Sequence, residues 1–149
     1  MHIDFNWLKN ELGLSKLSKK ERDALQKVID PMFVLPGIPI IHQGASGSDL
    51  YLLRSGSVRI TRMFNEHETE LSSGDYSKVF GELSMFSDEP ISANVIADQE
   101  CVIYKISCDH FQQLMREHSH LALKMLTFIV RNMAQVIRHL DGNKNRSRH

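Results

Sequence analysis

Residues 80–95 run Phe80-Gly81-Glu82-Leu83-Ser84-Met85-Phe86-Ser87-Asp88-Glu89-Pro90-Ile91-Ser92-Ala93-Asn94-Val95, and their order sets the reading of the whole chain. Glycine at 81 lets the backbone pass close to another group, and a short helical turn opening near Glu82 presents N–H groups with no partner inside the turn. Placed between strands, that turn makes a ligand-type cassette. Around it lie short β-prone runs: Phe33-Val34-Leu35, Ile38 to Ile41, Leu50 to Leu53, Val58 to Ile60 and Val102 to Ile106. Gly37, Gly44, Gly47, Gly56 and Gly74 punctuate them. Short strands parted by glycine turns at fairly even spacing predict an antiparallel sandwich or roll. The expected fold class is mainly β with flanking helices: an antiparallel β-roll (double-stranded jelly roll) with an N-terminal helix and a long C-terminal helix.

The helical signals lie at the two ends. Ser18-Lys19-Lys20-Glu21 has the form of a capping box and predicts a helix from about Lys19 to Ile29, stopping before Asp30-Pro31. Ser107 and Ser119 can each cap a later helix. Beyond them Ala122, Leu126, Ile129, Met133, Val136 and Leu140 recur at alternating steps of four and three, a heptad-like seam, while Leu121, Met125 and Phe128 form a second stripe. Two readings stay open: the seam joins two copies into a homodimer, or both stripes enter the domain's own core. The expected layout is a single domain over 1–141, helical at 1–31, a β-roll at 32–106 and helical at 107–141. A polar tail at 142–149 holds Lys144, Arg146 and Arg148 and has no apolar residue to pack.

Composition narrows the function classes. The 149 residues suit one domain. Lys plus Arg equals Asp plus Glu at 18 each, so no global field draws the chain to nucleic acid or to an anionic membrane. Cys101 and Cys108 have neither metal-site spacing nor a framework of pairs, which suits a reducing compartment. The first nine residues lack a basic start followed by an unbroken apolar core, and no apolar run is long enough to span a bilayer. The expectation is a cytoplasmic protein without a membrane partner.

The ordered set Gly44, Gly47-Ser48-Asp49-Leu50-Tyr51-Leu52-Leu53, Gly56-Ser57-Val58, Phe80-Gly81-Glu82-Leu83-Ser84 and Pro90-Ile91-Ser92-Ala93-Asn94-Val95 resembles the cyclic nucleotide-binding domain family. That family includes the catabolite activator protein and the regulatory subunits of cyclic-AMP-dependent kinase, and the resemblance covers roughly residues 33–140. It implies a ligand site at Gly81, Glu82, Leu83, Ser84, Ile91, Ser92 and Ala93. Glu82 matches the carboxylate that accepts from the ribose hydroxyl, and Ser92 matches a hydroxyl contact to the cyclic phosphate. On the C-terminal helix, Thr127, Asn132 and Gln135 are polar candidates for the far end of a ligand, or simply polar positions on a solvent or dimer face.

The chain departs from the family in two places. After the cassette proline the family carries an arginine whose fork neutralises the phosphate; here Ile91 stands there. Removing one partner of a buried charge pair costs about 2–5 kcal/mol, roughly thirtyfold to several-thousandfold in affinity. Glu82, Asp88 and Glu89 crowd the same segment with negative charge. The connection from Gly74 to Phe80 is also long for the family, and it carries Lys78, which is either a solvated loop lysine or a replacement for the missing charge.

No Ser/His/Asp or Cys/His grouping has a recognisable catalytic spacing, so the expected role is non-enzymatic, with no catalytic residues. His42 and His67 stand alone and His118 and His120 point to different helix faces, so no metal site is expected. Glu66, Glu68 and Glu70 alternate along a turn or strand edge, as charges that block edge pairing do. Three roles follow: a regulatory or sensor module that does not hold cyclic AMP or cyclic GMP tightly and needs no cofactor, a ligand-free dimerisation or protein-docking module, or a cyclic-nucleotide sensor anchored through Lys78. Direct DNA binding is disfavoured, because only a short polar stretch follows Leu140 where a helix-turn-helix reader needs its own helix.

Overall fold

Asp4 begins the ordered architecture by accepting a hydrogen bond from the Trp7 N–H at the start of helix α1 (Phe5–Glu11). The computed structural model describes residues 2–74, 77–87 and 89–146. Helix α2 (Lys19–Val28) opens on the expected capping box: Ser18 Oγ accepts from the Glu21 N–H, and the Glu21 carboxylate accepts from the Ser18 N–H. Its end falls where Asp30-Pro31 demands extended backbone, with Ile29 as the extended cap.

Eight strands follow: β1 (Asp30–Val34), β2 (Pro39–Ile41), β3 (Asp49–Ser55), β4 (Val58–Phe64), β5 (His67–Gly74), β6 (Val79–Phe80), β7 (Asn94–Ala97) and β8 (Cys101–Ser107). They form two antiparallel four-stranded sheets, β1-β8-β3-β6 and β2-β7-β4-β5. A short helix α3 (Glu82–Ser87) lies between β6 and β7, and helices α4 (Cys108–Glu117) and α5 (Ser119–Arg146) close the chain. The expected β-roll with terminal helices is the fold observed.

Burial divides into two cores, which explains why the middle strands read as continuous apolar runs. Leu50 and Leu52 of β3 and Tyr104 and Ile106 of β8 join Leu25, Phe111, Leu121, Met125 and Ile129 under the helices. Leu53 and Ile103, from the same two strands, face the other way and meet Val34, Ile41, Val58, Val95 and Ala97 inside the roll. This sheet is covered on both faces, so apolar residues occupy both sides of its strands. Strand β5 pairs only with β4 and is the sheet edge; its exposed Glu68 and Glu70 are charges that deter further pairing. Asn65 and Glu66 both take positive φ in the two-residue turn of the β4–β5 hairpin.

The structure moves two boundaries and one seam. The roll begins at Asp30 rather than residue 32, and α5 continues to Arg146 rather than ending at 141. Residues 147–149 of the expected tail are outside the described residues. Helix α1 was not resolved as a separate element from sequence, although Asp4 was its capping signal. On α5, Ala122 and Ile129 are both 2% exposed and pack into the domain's own core with Leu121, Met125 and Phe128. Leu126 and Met133 are half-buried beside that core, Val136 is half-buried, and the Leu140 side chain is outside those described. The seam that faces outward is Leu123, Val130 and Ile137, which are 60%, 63% and 57% exposed and spaced seven residues apart.

Candidate functional site

Strand β6 delivers the cassette. Its two residues pair with β3, Tyr51 with Phe80 and Leu52 with Val79, after which the chain turns at Gly81 into α3. Gly81 takes φ +84, and a Cβ there would stand 2.3 Å from the Asp49 carbonyl oxygen and 3.3 Å from the Tyr51 ring. The close approach that glycine permits on this side is to strand β3. Burial pushes the Glu82 carboxyl above its ordinary range.

Beside this turn is a hollow of about 150 Å³, lined by Ile41, Ile60, Phe80, Gly81, Glu82, Leu83, Ser84, Ile91, Ser92, Ala93 and Val95. All seven cassette residues expected from sequence meet in it. Four apolar walls, Ile41, Ile60, Phe80 and Val95, were not among the expected site residues and were legible only as strand positions. Ile91 is half-buried against the roll core, and its Cδ1 lies 3.8 Å from where a Gly47 Cβ would be. Its backbone is strapped to the β2–β3 loop: the Gly44 N–H donates to Ile91 O at 2.8 Å and the Ile91 N–H to Ala45 O at 3.4 Å. Ile91 thus fills its place as a wall.

The positions expected to add polar contacts are placed elsewhere. Lys78 Nζ bonds Glu11 of α1 at 2.8 Å and does not line the hollow. Thr127 Oγ1 donates to the Leu123 carbonyl within α5, and Gln135 is exposed. Asn132, 4% exposed, is a clamp: its Oδ1 accepts from the Lys78 N–H at 2.8 Å and its Nδ2 donates to Ser77 Oγ at 3.1 Å. Among the described residues, none of α5 lines the hollow. Arg62 of β4, which sequence reasoning passed over, donates through Nε to the Ser92 carbonyl at 2.9 Å. Its signal was strand alternation with Ile60, which puts both on one face of β4.

Other hollows lie apart. One of about 500 Å³ is bounded by the Gly44–Ser48 loop, Ser84, Glu89 and Pro90. Another of about 510 Å³ separates α2 from α4, where Lys19, Lys20 and Lys27 mix with Asp23 and Glu117 and present no single sign of charge. Among the described residues no group of three or more His, Cys, Asp or Glu is placed to hold a metal ion, and no helix is long and apolar enough to cross a membrane.

The family model described as the cyclic nucleotide-binding domain matches residues 31–118, which contain the roll, the cassette and α4. The chain belongs to the cyclic nucleotide-binding domain family. Within that family it is 34% identical over 112 residues to a cAMP-dependent protein kinase regulatory subunit of Hypocrea atroviridis, covering 74% of this chain and 23% of that one. It is 34% identical over 83 residues to the human potassium/sodium hyperpolarization-activated cyclic nucleotide-gated channel 4, covering 56% of this chain and 7% of the channel. The chain thus spans about a quarter or less of these relatives. Among solved structures, a cyclic nucleotide-binding domain from Methylobacillus flagellatus KT superposes with a TM-score of 0.78 at 19% identity, covering 91% of this chain and 79% of that one. The Thermus thermophilus catabolite activator protein superposes at 0.65 and 24% identity, covering 90% and 63%. These two likenesses support the fold.

Proposed function

We propose that this cyclic nucleotide-binding domain is a non-enzymatic regulatory module that does not hold cyclic AMP tightly. The observation that carries this reading is Ile91, which occupies the position of the phosphate-binding arginine and is packed as a wall of a hollow of about 150 Å³. Pockets for drug-sized ligands measure about 300–1,000 Å³. Among the described residues, neither Lys78, paired with Glu11, nor any residue of α5 lines the hollow to supply the missing charge. Regulation has a physical route in Ser77-Lys78, which leads directly into β6 and is gripped by Asn132 of α5. A ligand that shifts Phe80-Gly81-Glu82 shifts that grip, provided it distinguishes two placements of α5.

The outward seam Leu123, Val130 and Ile137 supports a second copy of this chain as partner. Those residues recur every seven with half-buried Leu126 and Met133 between them, the pattern of a two-helix seam. Thermal shift with cyclic AMP, cyclic GMP and cyclic di-GMP tests the ligand reading. At 100 μM, a site with Kd of about 1 μM stabilises by about 2.7 kcal/mol, roughly 5–10 °C in a chain of this size. The expected shift with cyclic AMP is under about 1 °C, and a shift of several degrees overturns the reading of Ile91.

A further inference from the structure

We infer that the outer edge of strand β5 is a docking site for an extended segment of another protein with Lys or Arg at alternate positions, added to the sheet as a further strand. This stands apart from the reading of the hollow. Four strands end the two sheets: β1 and β6 in one, β2 and β5 in the other. Three of them are poorly suited to a further partner, since β1 holds Pro31, β2 opens on Pro39 and has three residues, and β6 has two. Strand β5 (His67–Gly74) has eight residues and no proline. Every second residue of an edge strand directs its N–H and C=O away from its one neighbour, and among the described residues nothing outside β4 bonds the backbone of β5. The other side of the same hairpin is closed. Strand β7 pairs with β4 as far as Thr61, and beyond it the Gln43 amide stands in for a strand, accepting from the Met63 N–H at 2.7 Å and donating to the Met63 carbonyl at 3.2 Å.

Charge selects the occupant of that open edge. Glu66, Glu68 and Glu70 are exposed, and from Met63 to Gly74 the hairpin has no Lys or Arg. The register sets Glu68 beside Met63 and Glu70 beside Thr61, so the two carboxylates share one face of the hairpin two residues apart. A strand laid along β5 places alternate side chains opposite Glu68 and Glu70, where a cation is attracted and a carboxylate repelled. Leu71, unpaired at the bulge and exposed, offers an apolar contact next to them. The backbone ladder supplies the affinity and the carboxylates the choice of partner, because surface ion pairs alone bind weakly. A second copy of this chain does not fit: its β5 brings the same carboxylates, and its β1, β2 and β6 carry no Lys or Arg.

Three peptides of one pattern test the inference: acetyl-Lys-Thr-Lys-Val-Lys-Thr-Lys-amide, its counterpart with Glu for every Lys, and the Lys peptide N-methylated along its backbone, which keeps the charges and removes the donors. Each is titrated into the full chain at low salt and followed by amide chemical shifts and hydrogen exchange of residues 67–74. The Lys peptide is expected to shift and protect the β5 amides and to bind about tenfold or more tighter than the Glu peptide, as two cross-strand pairs turned from attraction to repulsion imply. N-methylation should abolish its binding, and the double variant Glu68→Lys, Glu70→Lys, with its fold intact by amide spectrum, should prefer the Glu peptide. If the N-methylated peptide binds as well as its parent, or the double variant still prefers the Lys peptide, strand addition selected by charge is wrong. If neither unmethylated peptide alters β5, or the β5 amides become protected on raising the protein concentration alone, the edge is closed or serves a second copy, and the inference falls.

Discussion

Gly81 and Glu82 are adjacent yet answer to different physics. Gly81 is held by backbone proximity: φ +84 and a Cβ position 2.3 Å from the Asp49 carbonyl oxygen leave no room for a side chain. Gly81→Ala is expected to cost about 2 kcal/mol or more, read as a lower urea midpoint with unchanged slope, and a neutral effect would contradict the close approach. Glu82 is destabilised by burial, which raises its folded-state pKa. Between the ordinary glutamate range and that raised value the folded chain binds more proton than the unfolded chain, so stability falls as pH rises through the window. Glu82→Gln is therefore expected to melt higher than wild type at pH 7, the difference vanishing below about pH 4, where both states of the wild type are protonated. Equal melting at pH 7 would show that the carboxylate is well solvated or paired. Asp4 behaves oppositely: the Trp7 N–H and the Arg54 guanidinium hold its carboxyl below the ordinary range, so its contribution is lost as pH falls.

Among the elements, α5 shows most clearly what sequence can and cannot place. The helix itself was legible from apolar periodicity, but it carries apolar residues around most of its circumference. Which stripe faces inward depends on how α4 and the sheet present themselves. Ala122 and Ile129 turned inward, leaving Leu123, Val130 and Ile137 outside. On the proposed seam, wild type is expected to scatter light as a dimer at about 100 μM and Val130→Asp as a monomer of unchanged melting temperature, since a charge in an apolar seam is strongly disfavoured, and a monomeric wild type would overturn the seam. A dimer that persists would place the contact elsewhere. The Ser18 capping box and the Ser107 cap were readable because they are local, whereas Ser119, expected as a cap, is the first residue of α5 itself; β3 and β8 were readable because both of their faces are covered. Strands β5, β6 and β7 were not. Strand β5 is a polar edge, β6 has two residues, and β7 has four, so none offers a periodicity that distinguishes it. The same limit hid Arg62 and the wall residue Ile60, whose roles depend on the register of β4 against β7.

At the scale of the whole molecule the charges cancel and the signal must be local. The roll, its flanking helices and the cassette glycine preserve the family frame, and the cassette residues converge as their order in the chain implied. What differs is the content of that frame. Ile91 stands at the place of the guanidinium, Glu82 is the one ionisable side chain among the described residues that line the hollow, and Lys78 points to α1 and ties the N-terminal helix to the roll. Asn132 joins the same short segment to α5, so three parts of the molecule meet at Ser77-Lys78. Isothermal titration of cyclic AMP into the wild-type chain tests the central claim most directly. The account predicts no saturable heat at ligand concentrations up to about 100 μM, as the loss of a phosphate-pairing arginine implies; a single-site isotherm with a low-micromolar Kd would contradict it.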